Sequence, residues 1–146
     1  QGVEVLHHSE YIARLLRSGR LSLRAGKATF TYHDPCELGR GGGIYEAPRE
    51  VIEAVGILSE APHNRADSLC CGSSLANTAI NDSQQLRIAS SLTAELDSTG
   101  AQTIVTACPL CKKALARTAR TQVRDLSEIV ADAIRQAGDS PANMQA

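Results

Sequence analysis

The chain has no tryptophan, one phenylalanine and one methionine, and aromatic residues fill only 3% of its 146 positions. Large rings therefore cannot carry the core, which falls to Leu, Ile, Val and Ala. With 42% hydrophobic residues there is enough apolar material for one domain. No apolar run approaches the roughly 20 residues that a spanning helix needs, so no membrane span is expected. Strong charge is missing as well. The formal net charge is −1 and the longest basic cluster is Lys112-Lys113, which gives no reason to expect nucleic acid or an anionic membrane as partner. Gln1 to Glu4 lacks the charged and then apolar layout of a signal peptide, and no internal repeat is evident. The expectation is a soluble, cytoplasmic chain, peripheral to a membrane only through its partners.

What the chain does have is five cysteines in one spaced pattern: Cys36, the adjacent pair Cys70-Cys71 followed by Gly72, and Cys108-Pro109-Leu110-Cys111. A C-x-x-C pair brings two sulfurs within reach of one metal or of each other, and alone it is a weak signal. Adjacent cysteines are different, because a disulfide between neighbours closes a strained ring, so such sulfurs serve a multinuclear site or stay reduced. Five thiols also exceed the four that a tetrahedral zinc or an ordinary cubane cluster takes. The odd count favours a cluster that uses an extra thiolate, in a reducing compartment that keeps thiols free for metals. A structural zinc with one spare thiol, and an apo chain with free or oxidised cysteines, remain open on this reading.

The pattern C-x33-C-C-G-x36-C-x-x-C, with His33-Asp34-Pro35-Cys36-Glu37-Leu38-Gly39-Arg40 at the first cysteine and Ala47-Pro48-Arg49-Glu50 soon after, resembles the cysteine-rich CCG domain of the heterodisulfide reductase family. That family includes the iron–sulfur subunits of glycolate oxidase, of lactate utilisation systems and of some glycerol-3-phosphate dehydrogenases. The likeness runs from about His7 to Asp125. One departure is visible: Ser73-Ser74-Leu75 follow Cys-Cys-Gly where the family usually has more glycine. The resemblance implies that Cys36, Cys70, Cys71, Cys108 and Cys111 ligate a non-cubane [4Fe-4S] cluster, with Gly72 leaving room beside it. It implies electron transfer in an oxidoreductase, with flavin-containing or ferredoxin-like subunits or domains as partners and a disulfide or a quinone as acceptor. In heterodisulfide reductases the cluster delivers single electrons to each sulfur of the disulfide. The rival from another class is a zinc-stapled interaction domain with no redox activity. Family members usually carry further cluster domains upstream, so the chain is expected to be the carboxyl-terminal piece of a longer one.

Periodicity supplies the elements. Val5, Leu6, Ile12, Leu15 and Leu16 recur at helical spacing and predict a helix over Val3 to Arg17, stopped by Ser18-Gly19. Ala28 to Tyr32 reads as a strand that delivers Cys36 just past its carboxyl end. The run Gly39-Arg40-Gly41-Gly42-Gly43 is expected to be a mobile loop over the site, or one that lets backbone approach it closely. Pro48 opens a helix that ends at Gly56, Ile57 to Ala61 forms a short strand, and His63 to Leu69 is a loop or short strand. Ser73 or Ser74 caps a long helix to about Ser98, with Leu75, Ala79, Leu86, Ile88, Ala89, Leu92 and Leu96 as its apolar face. Thr103 to Ala107 is the clearest strand. Pro109 opens a helix to about Thr118, Gln122 to Leu126 is a strand, and Ser127 caps a last helix over Glu128 to Gln136.

Strands alternating with helices imply an α/β fold: a Rossmann-like parallel sheet flanked by helices, with the cysteines converging at the carboxyl ends of strands. Residues 1–137 form the single cysteine-rich domain and residues 138–146 a disordered tail. Placing Cys71, Gly72, Cys108 and Cys111 at helix starts would favour thiolates through the helix dipole. His33 could donate to the cluster, to substrate or to a proton relay, but is expected first to bond the loop backbone near Cys36, with Asp34 as a turn residue. Arg40 and Arg49 either face the cluster charge or a substrate carboxylate, or form plain salt bridges. His7 and His8, on the first helix with Glu10 near, could touch the site in the resembled family's arrangement, but a surface or core position is expected first, and His63 is expected in a loop.

Overall fold

The computed structural model describes residues 2–73 and 79–138. Its centre is a four-stranded, all-parallel sheet in the order β2-β1-β3-β4, made of β1 (Thr29–His33), β2 (Ile57–Leu58), β3 (Thr103–Thr106) and β4 (Gln122–Asp125). Five helices flank it: α1 (His8–Arg17), α2 (Glu46–Val55), α3 (Asp82–Ser98), α4 (Pro109–Leu115) and α5 (Leu126–Gly138). This is the α/β arrangement that alternating strand and helix patterns demand.

Side chains alternate across a strand, and that alternation builds two cores. Phe30, Tyr32 and Val105 point into one with Val51, Ile52 and Val55 of α2 and Leu126, Ile129 and Val130 of α5. Ile104 points the other way, among Leu92 and Leu96 of α3, Leu115 of α4, and Cys71 and Cys111. Thr31 and His33 of β1 share that second face. The two central strands pair in register from Phe30 with Thr103 to His33 with Thr106, so the carboxyl ends of β1 and β3 finish level and the loops after both emerge side by side.

Several boundaries differ from the sequence reading. The first helix starts at His8, five residues later than expected. His7 caps it, its ring accepting from the Ser9 N–H at 3.3 Å while the Glu10 carboxylate accepts from the His7 N–H at 2.9 Å, a reciprocal capping box. Val3 and Val5 precede this cap and are exposed, so they belong to no apolar stripe. The long helix after Cys-Cys-Gly starts at Asp82, where the Asn81 side chain accepts from the Gln84 N–H at 3.0 Å; Ser73 is not its cap, and Ser74 and Leu75 lie outside the described residues. Ala79 precedes the helix and is exposed, while Ala89, Leu92 and Leu96 are buried with Thr93. The final helix follows β4 directly. Asp125 holds its start, accepting from the Ser127 N–H at 2.9 Å, and Glu128 accepts from the Asp125 N–H at 2.7 Å, so the expected Ser127 cap is moved two residues upstream. Residues 139–146, most of the expected tail, lie outside the described residues.

The glycine run is wound into a π-type turn, Glu37–Gly41, in which the Gly41 N–H donates to the Cys36 carbonyl at 2.9 Å. Tyr45 packs against it so closely that a β-carbon on Gly39 would stand 2.8 Å from its ring. The run is thus wound and packed on Tyr45, and none of Gly39, Arg40, Gly41, Gly42 and Gly43 lines the cysteine cavity. His63 to Leu69 holds a single tight turn, Arg65–Asp67, and no strand. No helix among the described residues is long and apolar enough to cross a membrane.

Candidate metal centre

All five cysteines are free thiols, carried on three segments. Cys36 follows β1 by three residues and opens the π-type turn. Cys108 caps α4 in extended conformation with Pro109 as the first helical residue, and Cys111 falls in the first turn, which turns both toward the end of β1. Cys70 and Cys71 lie on the segment after the Arg65–Asp67 turn. They do not start a helix, because α3 begins only at Asp82. What shapes this segment is Gly72: its φ is +78°, a conformation that disfavours any side chain. A β-carbon there would also stand 3.2 Å from Ile88 Cγ2 of α3. The bend lets the Gly72 N–H donate to the Cys70 sulfur at 3.3 Å.

Cys71 and Cys111 are buried with their sulfurs 3.1 Å apart. Two thiolates at that distance in an apolar pocket repel, so the pair shares a proton. The Cys111 thiol donates to the Cys71 sulfur, which pulls Cys71 below the usual thiol range despite its burial and holds Cys111 well above it. Burial first, and then the neighbouring Cys70 sulfur, push the Cys36 thiol up. Sulfurs gathered this closely are a donor set suited to a shared cation, which favours their thiolate forms.

Cys36, Cys71, Cys108 and Cys111 line one cavity of about 580 Å³, together with His7, Leu38 and Leu110. Cys70 is outside that lining. The His7 ring sits where burial, followed by the neighbouring His8, lowers its pKa. His33 reaches the same sulfurs from behind: one of its ring nitrogens and the sulfurs of Cys71 and Cys111 lie within 4.8 Å of one another, all buried, a spacing suited to a shared metal ion.

An inner clamp sets where the loops stand. Asp34 is 2% exposed and Arg49 of α2 is 3% exposed; they meet in a bidentate pair at 2.8 and 2.9 Å. Arg49 also donates to Glu60 at 2.6 Å and to the Tyr45 carbonyl at 2.7 Å, and it lies 5.3 Å over the Tyr32 ring. Burial alone would lower the Arg49 pKa, but the two carboxylates outweigh it and hold the guanidinium charged. Asp34 further accepts from the Arg65 N–H at 2.8 Å, and its carbonyl accepts from Ser68 Oγ at 3.3 Å. Arg40 of the π-type turn donates to the Ser68 carbonyl at 2.6 Å. The segment before Cys70 is thereby tied to the one before Cys36 through Asp34 and Arg40.

The protein-family model of the cysteine-rich CCG domain matches residues 30–116, a span that contains all five thiols and the clamp. The chain belongs to the CCG cysteine-rich domain family. A probable membrane-anchored ferredoxin of Chromohalobacter salexigens is 39% identical over 138 residues, covering 89% of this chain and 21% of that protein. The probable iron-sulfur-binding oxidoreductase FadF of Bacillus subtilis is 31% identical, covering 90% of this chain and 20% of its own length. A subunit of the dihydromethanophenazine:CoB–CoM heterodisulfide reductase of Methanosarcina mazei is 30% identical, covering 90% of this chain and 34% of its own length. The CCG domain thus spans between about a fifth and a third of the relatives it matches.

Within the CCG domain His63 lies in a loop and His8 on the first helix, as expected, whereas His33 and His7 stand elsewhere than the sequence reading put them first. Neither Arg40 nor Arg49 lines the cysteine cavity; Arg40 donates to backbone carbonyls and Arg49 sits in a buried ion pair. Asp34 is a structural anchor, as expected. His33 does not bond the loop backbone as expected: it is the last residue of β1, buried, and neither ring nitrogen has a partner among the described residues. The signal was present in the alternation Phe30, Thr31, Tyr32, His33, which puts His33 on the face opposite the two aromatic residues. His7 caps α1 and lines the cavity, the placement that the family resemblance allowed and not the surface or core position expected first.

Proposed function

We propose that Cys36, Cys70, Cys71, Cys108 and Cys111 hold an iron–sulfur cluster of the non-cubane [4Fe-4S] type and that the domain passes electrons within a larger oxidoreductase. The observation that carries this reading is a cavity of about 580 Å³ lined by four free thiols from three chain segments. Soft thiolates are the ligands iron–sulfur clusters use, and the forced closeness of Cys71 and Cys111 is relieved when iron takes the place of their shared proton. Bound there, the cluster supplies one-electron transfer and, toward a disulfide acceptor, single electrons to each sulfur.

The chain's own residues do the rest. Asp34 and Arg49 fix the loop of Cys36, Gly72 sets the bend that presents Cys70 and Cys71, and Leu38 and Leu110 give the cavity an apolar wall. The names of the similar proteins, two of which refer to iron–sulfur or ferredoxin, support the reading. Flavin-containing or ferredoxin-like subunits or domains are the proposed donors, and a disulfide or a quinone the proposed acceptor. A lone zinc on His33, Cys71 and Cys111 would leave the thiols of Cys36, Cys70 and Cys108 without employment.

The test is a set of five single Cys→Ser variants, reconstituted anaerobically with iron and sulfide beside the wild-type chain. Retention of iron by every variant would refute the ligand set; loss or altered stoichiometry of iron in each supports it.

A further inference from the structure

His33 is 1% exposed, and neither Nδ1 nor Nε2 has a hydrogen-bond partner among the described residues. A buried imidazole with both nitrogens idle is costly, because each has lost water without gaining a partner. Such a residue calls for a partner supplied by the functional state. Among the described residues, the metal-ligating atoms assembled with it are the sulfurs of Cys71 and Cys111, within 4.8 Å. His33 is pinned by pairing in register with Thr106 at the carboxyl end of two central strands, and it does not line the cavity. It therefore stands on the sheet side of these sulfurs, with a ring nitrogen within 4.8 Å of both, and leaves the cavity interior to the ligands.

We propose that His33 donates a ring N–H to a ligating sulfur of the Cys71–Cys111 pair and thereby raises the reduction potential of the cluster the domain holds. This rests on the iron–sulfur reading above. The physical basis is direct: reduction adds negative charge that spreads onto the ligating sulfurs, and a fixed N–H dipole aimed at one of them stabilises the reduced state more than the oxidised one. His33 is a positioning and tuning residue; it exchanges no electron itself.

The experiment compares the reconstituted wild-type chain with His33→Leu, which keeps bulk without a donor, and His33→Asn, which keeps an amide N–H. Iron and sulfide per chain are measured first, then the midpoint potential by EPR-monitored titration. The expected result is equal iron and sulfide in all three, a more negative potential in His33→Leu, and a return toward the wild-type value in His33→Asn. If His33→Leu loses its iron while His33→Asn keeps iron and a near-wild-type potential, the hydrogen bond is supported by the rescue. Equal potentials in fully loaded wild-type and His33→Leu chains overturn the proposal. Loss of iron from both variants also overturns it, in favour of direct ligation by the imidazole. A wild-type chain that takes up no iron or sulfide instead overturns the cluster reading itself, and this inference with it, so the two failures are told apart by the first measurement.

Discussion

Two side chains almost wholly shielded from water, Asp34 and Arg49, decide where Cys36 stands. Removing one member of a buried pair leaves the other charge uncompensated, which costs about 3–5 kcal/mol. Arg49→Met is therefore expected to lower unfolding free energy by about that amount in urea titration, since it strands the Asp34 carboxylate. Arg49→Lys should recover only part of the loss, because an ammonium cannot reproduce the fork that engages Asp34 and Glu60 together. At Gly72 the conformation itself is the constraint: with φ at +78° and Ile88 3.2 Å from a built β-carbon, Gly72→Ala is expected to cost about 1–2 kcal/mol for the left-handed backbone, before any crowding. Thermal unfolding of the apo chain would read it, and an unchanged melting temperature would contradict the account.

At the scale of elements, the loop between α4 and β4 is tied to the end of α3 by one carboxylate. Asp97 accepts from the Arg120 and Thr121 N–H groups, both at 3.1 Å. Burial raises its pKa, and the hydrogen bonds from Thr121 and Arg120 outweigh that and leave it below the usual aspartate range. A lowered folded-state pKa means stability that is present above the unfolded value, about 4, and lost as pH falls through the folded one. Asp97→Ala should thus destabilise the domain by about 1–3 kcal/mol at neutral pH, with the gap from wild type narrowing below about pH 4. A gap independent of pH would contradict the assignment. Elements were also where the sequence was most and least legible. Thr103 to Thr106 announced itself as a buried parallel strand because both its faces are covered, one residue set for each core. The starts of α1 and α3 were missed for the same physical reason: apolar residues such as Val3 and Val5 continue a periodic pattern past the cap, whereas the boundary is fixed by local hydrogen bonds of His7 with Glu10 and Asn81 with Gln84. Periodicity is blind to those bonds.

For the molecule as a whole, topology places the chemistry. The order β2-β1-β3-β4 sets β1 beside β3 although 69 residues separate the end of one from the start of the other, and so brings Cys36 next to Cys108 and Cys111 at the same sheet edge. The spacing marked the three cysteine segments, and the structure brings four of their thiols to one cavity; the five as one ligand set came from the family resemblance. The burial of His33 was not legible in the sequence, because it depends on which core each face of β1 meets. The most direct test is iron, acid-labile sulfide and zinc per chain, measured after anaerobic purification and reconstitution together with an EPR spectrum of the same sample. The account predicts several irons with matching sulfide, both lost when Cys71 becomes Ser. One zinc and no sulfide would contradict it.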